Sequence, residues 1–312
     1  MEYILLLVGF VLLIKGADFF VDGASSIAGK LKVPSLIIGL TVVSIGTSLP
    51  EAAVSISASL SGSNSISLGN VIGSNVFNLL MVVGVSSMIL PIITDKDILK
   101  RDMPFNIGIT IALLVMLLDG DLSRLDAAIL LVVLAAYMVI LIRSALKNRL
   151  EGDNPKVYSW LKSILLSVVG AAAIIGGGNL VVESAKTIAL NLGMGETLVG
   201  LPIVAIGTSL PELVTSVVAA KKGDSGIAMG NVVGSCIFNI LFILGMAGVI
   251  SPMTADATFF IDTGILIAIS AIMLLFAFTK KKTDRIEGTI CVLMYAAYTA
   301  YIIMRAFHIW IF

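Results

Sequence analysis

The sequence predicts an all-α polytopic membrane protein of ten transmembrane helices, arranged as two inverted five-helix repeats in which helices 2 and 7 are broken. Three observations predict it: apolar runs long enough to cross a bilayer recur from end to end, one 46-residue segment occurs twice, and basic residues alternate between loops.

Of the 312 residues, 58% are apolar and 13% charged, and the mean hydropathy is +1.08. Water-soluble domains of ordinary composition do not approach these values, so the bilayer is the solvent for most of the chain. Crossing a hydrocarbon layer of roughly 30 Å takes about 20 helical residues. Ten apolar runs approach or exceed that length, at 3–25, 33–59, 66–91, 104–119, 124–144, 159–186, 194–220, 226–251, 258–279 and 286–307. The first carries Lys15, Asp18 and Asp22 and has no basic stretch ahead of it, so it reads as a retained span rather than a signal peptide. Short loops join the runs. The polar stretch 145–158 is the one linker between halves, giving a first five-helix repeat over 1–150 and a second, inverted one over 151–312. No length remains for a soluble domain.

Residues 39–84 written over 200–245, an offset of 161 without gaps, are identical at 23 of 46 positions. GTSLPE at 46–51 returns at 207–212, and GNVIGSNVFN at 69–78 answers GNVVGSCIFN at 230–239. With an odd number of spans per half, equivalent segments enter the membrane from opposite sides. The charges carry the same message. Loops after spans 1, 3, 5, 7 and 9 hold 16 of the 20 Lys and Arg, which makes them cytoplasmic and puts both termini outside the cell membrane. Lys221 and Lys222 align with uncharged Leu60 and Ser61, and Lys30 and Lys32 with Asn191 and Gly193, so basic residues exchange loops between the halves.

In each GTSLPE segment the proline has no N–H to offer the carbonyl four residues back, at Gly46 or Gly207, and its ring clashes with that turn. Helices 2 and 7 should break there. Irregular backbone at membrane depth is tolerated where it lines a polar cavity, and carbonyls freed from Ser44 to Thr47 and from Ala205 to Thr208 would face a cation. Glu51 and Glu212 follow directly, near the start of the resumed half-helix, where the helix dipole favours negative charge by about 1 kcal/mol. Asn70, Ser74 and Asn78 form a stripe at i, i+4 and i+8, repeated by Asn231, Ser235 and Asn239. Gly69 with Gly73, and Gly230 with Gly234, have the small-residue spacing that lets another backbone approach, so each broken helix should pack on a polar stripe. A single Gly-Thr-Ser-Pro run can do no more than kink a helix. Two matched copies, each with an acid costing at least ~2.5 kcal/mol at the bilayer centre, point to an ion pathway. Asp22 and Glu183 are also equivalent positions, but they lie near span ends beside Lys15 or Lys186, where helix-end solvation or local pairing is the expected role.

The paired GTSLPE and G-N-x-x-G-S segments, in two five-span halves, resemble the alpha repeats of the cation/calcium exchanger superfamily, most closely its prokaryotic sodium/calcium exchangers. The resemblance implies a core of spans 2, 3, 7 and 8 around the ions, with spans 1 and 6 sliding across it. It further implies that Glu51 and Glu212 bind calcium with the backbone carbonyls of Thr47 and Thr208. Flanking sodium sites would use Ser44, Thr47, Ser48 and Ser74 from the first repeat and Ala205, Thr208, Ser209 and Ser235 from the second, with Asn78 and Asn239 between them. Many such exchangers carry an aspartate at the place of Asn78 or Asn239. Here both are asparagine, so the centre has two formal negative charges.

The expected function is therefore a secondary antiporter exchanging Ca2+ for Na+ by alternating access. Two ionised glutamates are neutralised by one Ca2+, two Na+ or two protons, whereas the empty, doubly charged site is costly in low dielectric. A site that resists crossing empty is a physical basis for obligatory exchange. A proton-coupled Ca2+/cation antiporter is the alternative, because paired buried carboxylates can also take protons; a cation channel, which can also be lined by carboxylates and carbonyls, is a third. Enzymatic chemistry is not expected. His308 is the sole histidine, and Cys236 and Cys291 lie in apolar runs without metal-ligand spacing. With no P-loop there is no sign of ATP-driven pumping. No cofactor and no nucleic-acid partner is expected; the partners are the two ions, Ca2+ and Na+ (or H+), and the lipid bilayer.

Overall fold

The computed structural model describes residues 1–147, 157–191 and 206–306. It is an all-helical, polytopic membrane protein. In chain order the helices are α1 (Glu2–Leu31), α2 (Ser35–Thr47), α3 (Leu49–Leu60), α4 (Asn64–Ile89), α5 (Ile98–Asp119), α6 (Arg124–Lys147), α7 (Trp160–Asn191), α8 (Leu210–Lys221), α9 (Ser225–Ile250), α10 (Ala257–Lys280) and α11 (Arg285–Ala306). Eight of these are long and apolar enough to cross a membrane alone, and the bent pair α2–α3 makes a ninth. The expected seventh span, 194–220, lies partly outside the described residues, as do the boundary between the proposed halves at 150/151 and the site residue Ala205. The other expected runs fall on observed helices, which extend mostly by a turn or less beyond the apolar stretch.

Burial sorts the helices into a core and a rim. Almost three-quarters (72%) of the apolar window of α4 and of α9 is inside the protein, against 17 to 39% for α1, α5, α6, α7, α10 and α11. The rim helices turn large apolar side chains outward, among them Leu7, Val132, Leu161, Val168, Leu275 and Leu293, as a lipid solvent requires.

Helices α1 and α7 pack backbone to backbone along a glycine stripe. A Cβ on Gly170 would lie 2.5 Å from the Phe20 amide nitrogen and 2.7 Å from the Gly16 carbonyl, and one on Gly177 would lie 2.8 Å from the Gly9 carbonyl. Gly9 and Gly170, and likewise Gly16 and Gly177, stand 161 positions apart, so the contact maps onto itself when the halves are exchanged. Bulkier residues here would hold the two helices apart.

Two small antiparallel strand pairs obey the same exchange. β1 (Ile92–Ile93) pairs with β4 (Lys282–Thr283), and β2 (Asp121–Leu122) pairs with β3 (Met253–Thr254). Ile92 faces Thr283 while Leu122 faces Met253, and these are equivalent positions at the 161-residue offset. The runs α5–α6 and α10–α11 are cross-linked at equivalent positions but by different chemistry. Arg101 Nη1 donates to Ser144 Oγ over 2.8 Å in the first half. At the equivalent positions of the second, Arg305 donates to both oxygens of Asp262 over 2.9 and 2.8 Å. Asp22 pairs not with the nearby Lys15 but with Lys222, 200 positions away, at 2.6 Å. The basic loop after α8 thereby meets the end of α1.

Candidate functional site

The break predicted at the first GTSLPE segment is present. α2 ends at Thr47, Ser48 leaves helical geometry at φ −85°, ψ 8°, and α3 resumes at a 50° bend. Pro50 sits in the first turn of α3, where a missing N–H costs nothing. The second copy is alike: Ser209 has φ −93°, ψ 5°, and Pro211 lies in the first turn of α8. One expectation needs correction. The Ser44 carbonyl is not freed, since it accepts from the Ser48 amide at 3.0 Å and from Thr47 Oγ1 at 3.3 Å. A side-chain oxygen and one remaining helical bond close the turn before the break.

Glu51 and Glu212 occupy the first turns of α3 and α8, and neither exposes any surface. Each is held by the broken helix of the other half. Ser209 Oγ donates to Glu51 Oε1 and Ser48 Oγ donates to Glu212 Oε1, both over 2.9 Å. The Thr208 hydroxyl joins Ser209 on Glu51, and the Thr47 hydroxyl stands close to Glu212 while directing its proton to Asn231 Oδ1 at 3.0 Å or to carbonyls of its own helix. Ser74 Oγ lies 3.1 Å from Ser209 Oγ, and Ser235 Oγ lies 3.5 Å from Glu212 Oε1. The two acids and six hydroxyls from Thr47, Ser48, Ser74, Thr208, Ser209 and Ser235 thus form one buried polar cluster.

Packing brings the halves together at this point. A Cβ on Gly230 would meet the Leu36 carbonyl at 2.8 Å, and one on Gly234 would meet Leu40 Cα and Ser44 Oγ at 2.8 Å, so α2 lies directly on the glycines of α9. The broken helix does pack on a polar stripe, and it is the stripe of the opposite half. Ser44 is buried there, its hydroxyl donating to the Thr41 carbonyl over 3.1 Å and not to either acid. Among the described residues nothing comes within 4 Å of a Cβ on Gly73; the equivalents of Leu36 to Ser44, 197–205, are outside the described residues. After the break, α3 is pinned to α4 of its own half. Asn70 Nδ2 donates to the Glu51 carbonyl at 3.3 Å and to Ser55 Oγ at 2.9 Å. Asn231 does the same to the Glu212 carbonyl and Ser216 Oγ at the same two distances.

Several buried polar atoms have no hydrogen-bond partner among the described residues: Glu51 Oε2 and Glu212 Oε2 in this cluster, and also Asn239 Oδ1 and both amide atoms of Asn78. Leaving such groups buried and unmatched costs about 1–3 kcal/mol each, and more where charged. Carboxylate, amide and hydroxyl oxygens without donors are what a hard cation takes up. Asn78 and Asn239 each open a π-helical turn, Asn78–Val82 and Asn239–Leu244, which widens the helix where the amides leave it. Among the described residues no three His, Cys, Asp or Glu side chains gather elsewhere as a metal site.

Two features of the site were not read from the sequence. Ser55 and Ser216 anchor the acid-bearing helices and had a signal, being identical in the two copies. Asn75 and Cys236 are equivalent positions that differ, and they meet across the interface of α4 and α9.

Known proteins resemble this chain over nearly its whole length. The model of the sodium/calcium exchanger protein family matches residues 1–143 and again 162–304, two segments that are themselves 161 positions apart. The sodium/calcium exchanger MaX1 of Methanosarcina acetivorans is 36% identical, covering 95% of this chain and 97% of that protein. The inner membrane protein YrbG of Escherichia coli is 35% identical over 81% of each. The solved structure of the sodium-calcium exchanger NCX_Mj, soaked with 2.5 mM Na+ and 0.1 mM Ca2+, has a TM-score of 0.84 at 35% identity, with 96% of this chain and 97% of that one covered. This chain belongs to the sodium/calcium exchanger family.

Proposed function

We propose that this protein is a Na+/Ca2+ antiporter, and that Glu51 and Glu212 form the centre of its transport site. The observation that carries the reading is the reciprocal clasp of the acids, Ser209 on Glu51 and Ser48 on Glu212, with Oε2 of each left without a partner among the described residues. Ca2+ takes 6–8 oxygen ligands, and two such carboxylates neutralise it. Thr47, Ser48, Ser74, Thr208, Ser209 and Ser235 supply neutral oxygens beside the acids, and Asn78 and Asn239 supply amides between them. Ala205 is proposed to complete the flanking positions, whereas the carbonyl and hydroxyl of its counterpart Ser44 are already engaged within α2. The ions are substrates rather than resident cofactors, and no enzymatic step is required of the site.

The halves are proposed to be inverted repeats, divided near 150/151, giving ten spans with both termini outside the cell membrane. Three facts support this. The family matches two segments at one offset. The strand pairs join the loops after the third and ninth runs, and those after the fourth and eighth, as strict alternation requires. The basic residues concentrate in the loops after odd-numbered runs. Each acid is clasped by the opposite half, so both belong to one core, and α1 and α7, which pack on each other, are proposed to slide across that core and open the shared site alternately to either side.

The test is uptake of 45Ca by proteoliposomes loaded with Na+ or, at matched osmolarity, with choline. Antiport requires uptake that depends on internal Na+. Uptake driven as well by an outward proton gradient without Na+ would instead establish the proton-coupled alternative, and uptake without any counter-ion would establish a channel.

A further inference from the structure

The two halves are not equivalent at one place beside the proposed transport site. Asn75 on α4 and Cys236 on α9 are both fully buried and face each other at equivalent positions. Asn75 Nδ2 donates to the Cys236 carbonyl over 3.1 Å, and the Cys236 thiol returns a long contact to the Asn75 carbonyl at 3.9 Å. Asn75 has a second partner: its Oδ1 accepts from Asn239 Nδ2 at 3.0 Å. These two bonds fix the Asn75 amide, because a flip would set its NH2 against that of Asn239. They also fix Asn239, whose NH2 is occupied while its Oδ1 is left without a partner among the described residues. Exchange of the halves turns Asn75 into Cys236 and Asn239 into Asn78. A thiol carries no oxygen at the place of Asn75 Oδ1, and both amide atoms of Asn78 lack a partner among the described residues.

We propose that Asn75 is a positioning residue that holds the Asn239 carbonyl oxygen toward the transported cation, and that Cys236 leaves the matching amide of Asn78 untethered, so that the two halves present unlike ligands. This rests on the reading of Asn239 as an oxygen of the transport site. A tethered amide binds without first losing rotational freedom, and an untethered one must be ordered by the ion. Two homologous halves with the same hydroxyls therefore offer one preset and one adaptable amide.

The experiment is a double-mutant cycle on apparent KM for Na+ and for Ca2+ in proteoliposomes, with Asn75→Leu, Asn239→Leu and the pair. Asn239→Leu identifies the ion whose KM depends on that amide. Asn75→Leu should raise the KM of the same ion by about fivefold, the scale of one lost hydrogen bond, and should add nothing on the Asn239→Leu background. Additive effects, or an Asn75→Leu protein with unchanged KM while Asn239→Leu is impaired, would overturn the positioning role yet leave Asn239 in the site. If Asn239→Leu changes neither KM while Glu51→Gln abolishes exchange, both this inference and the assignment of Asn239 fail. Cys236→Asn gives an independent arm should Asn75→Leu not fold. It supplies Asn78 with the missing acceptor and should lower the KM of at least one ion by about threefold through preorganisation; unchanged KM values would count against the proposal.

Discussion

Ser209 and Glu51 belong to different halves of the chain, 158 positions apart, yet the serine hydroxyl lies 2.9 Å from the carboxylate oxygen. Ser48 and Glu212 repeat the relationship at the same distance. Each hydroxyl stands at the break of its own helix, where a residue outside regular helical geometry can aim its side chain across the interface. Ser48→Ala and Ser209→Ala each remove one donor from a carboxylate that keeps other hydroxyl partners. Each should weaken ion binding by about 1 kcal/mol, read as a roughly fivefold rise in apparent KM with the protein still folded. The near-symmetry of the clasp makes the two effects similar, and a large effect from one serine with none from the other would contradict it.

The close approach of α1 and α7 makes a stability prediction with an internal control. A Cβ at Gly170 would run into the Phe20 backbone at 2.5 Å, whereas nothing lies within 4 Å of a Cβ at Gly176. Gly170→Ala should cost about 1–3 kcal/mol, seen as a lower Tm of the purified protein in detergent, because backbone cannot move aside as a flexible side chain can. Gly176→Ala should leave Tm unchanged or slightly higher, since alanine is the better helix former by about 1 kcal/mol.

Membrane orientation follows from the 16 of 20 basic residues in the loops after odd-numbered runs. A single cysteine placed within 147–155, in a Cys236→Ser, Cys291→Ser background, should react with an impermeant maleimide in inside-out vesicles and not in intact cells. Labelling from outside intact cells would reverse the proposed orientation.

Stoichiometry can be read from charge. With two glutamates and two neutral amides at the centre, exchange of three Na+ for one Ca2+ moves one net charge, and two Na+ for one moves none. The hydroxyl, amide and carbonyl oxygens of both halves favour flanking sites in addition to the central one, so exchange should be electrogenic. Na+-driven 45Ca uptake should therefore change with a membrane potential clamped by K+ and valinomycin at fixed pH. Rates indifferent to the potential would rule out three-for-one exchange.

Much of this architecture is legible in the sequence because its signals are local. The apolar runs give the spans, Pro50 and Pro211 give the breaks, and the 161-residue offset gives the repeat. What stayed hidden depends on partners distant in the chain. No local pattern tells that Ser48 serves Glu212 and not Glu51, or that Asp22 meets Lys222 and not Lys15. The glycines at 9 and 16, and at 170 and 177, do carry a seven-residue spacing, but spacing alone does not name the partner helix. The carbonyl of Ser44 was expected to be free because the break was expected to open the turn before it; the Ser48 amide keeps its helical bond to that carbonyl and the Thr47 hydroxyl adds a second. Arg101 and Asp262 escaped the repeat altogether, since the two copies keep a cross-link at these positions but make it with different residues, Arg101 to Ser144 and Asp262 to Arg305.

The central claim is that Glu51 and Glu212 together hold the transported ion. Its most direct measurement is Na+-driven 45Ca uptake by purified Glu51→Gln and Glu212→Gln proteins, reconstituted alongside the parent and matched for Tm and monodispersity. Glutamine keeps the shape and one oxygen of glutamate but removes half the charge that opposes a divalent cation, so each variant should fall by at least about 100-fold, the scale of losing a buried charge–charge contact of about 3 kcal/mol. Near-parental uptake by either folded variant would show that the ion is held elsewhere.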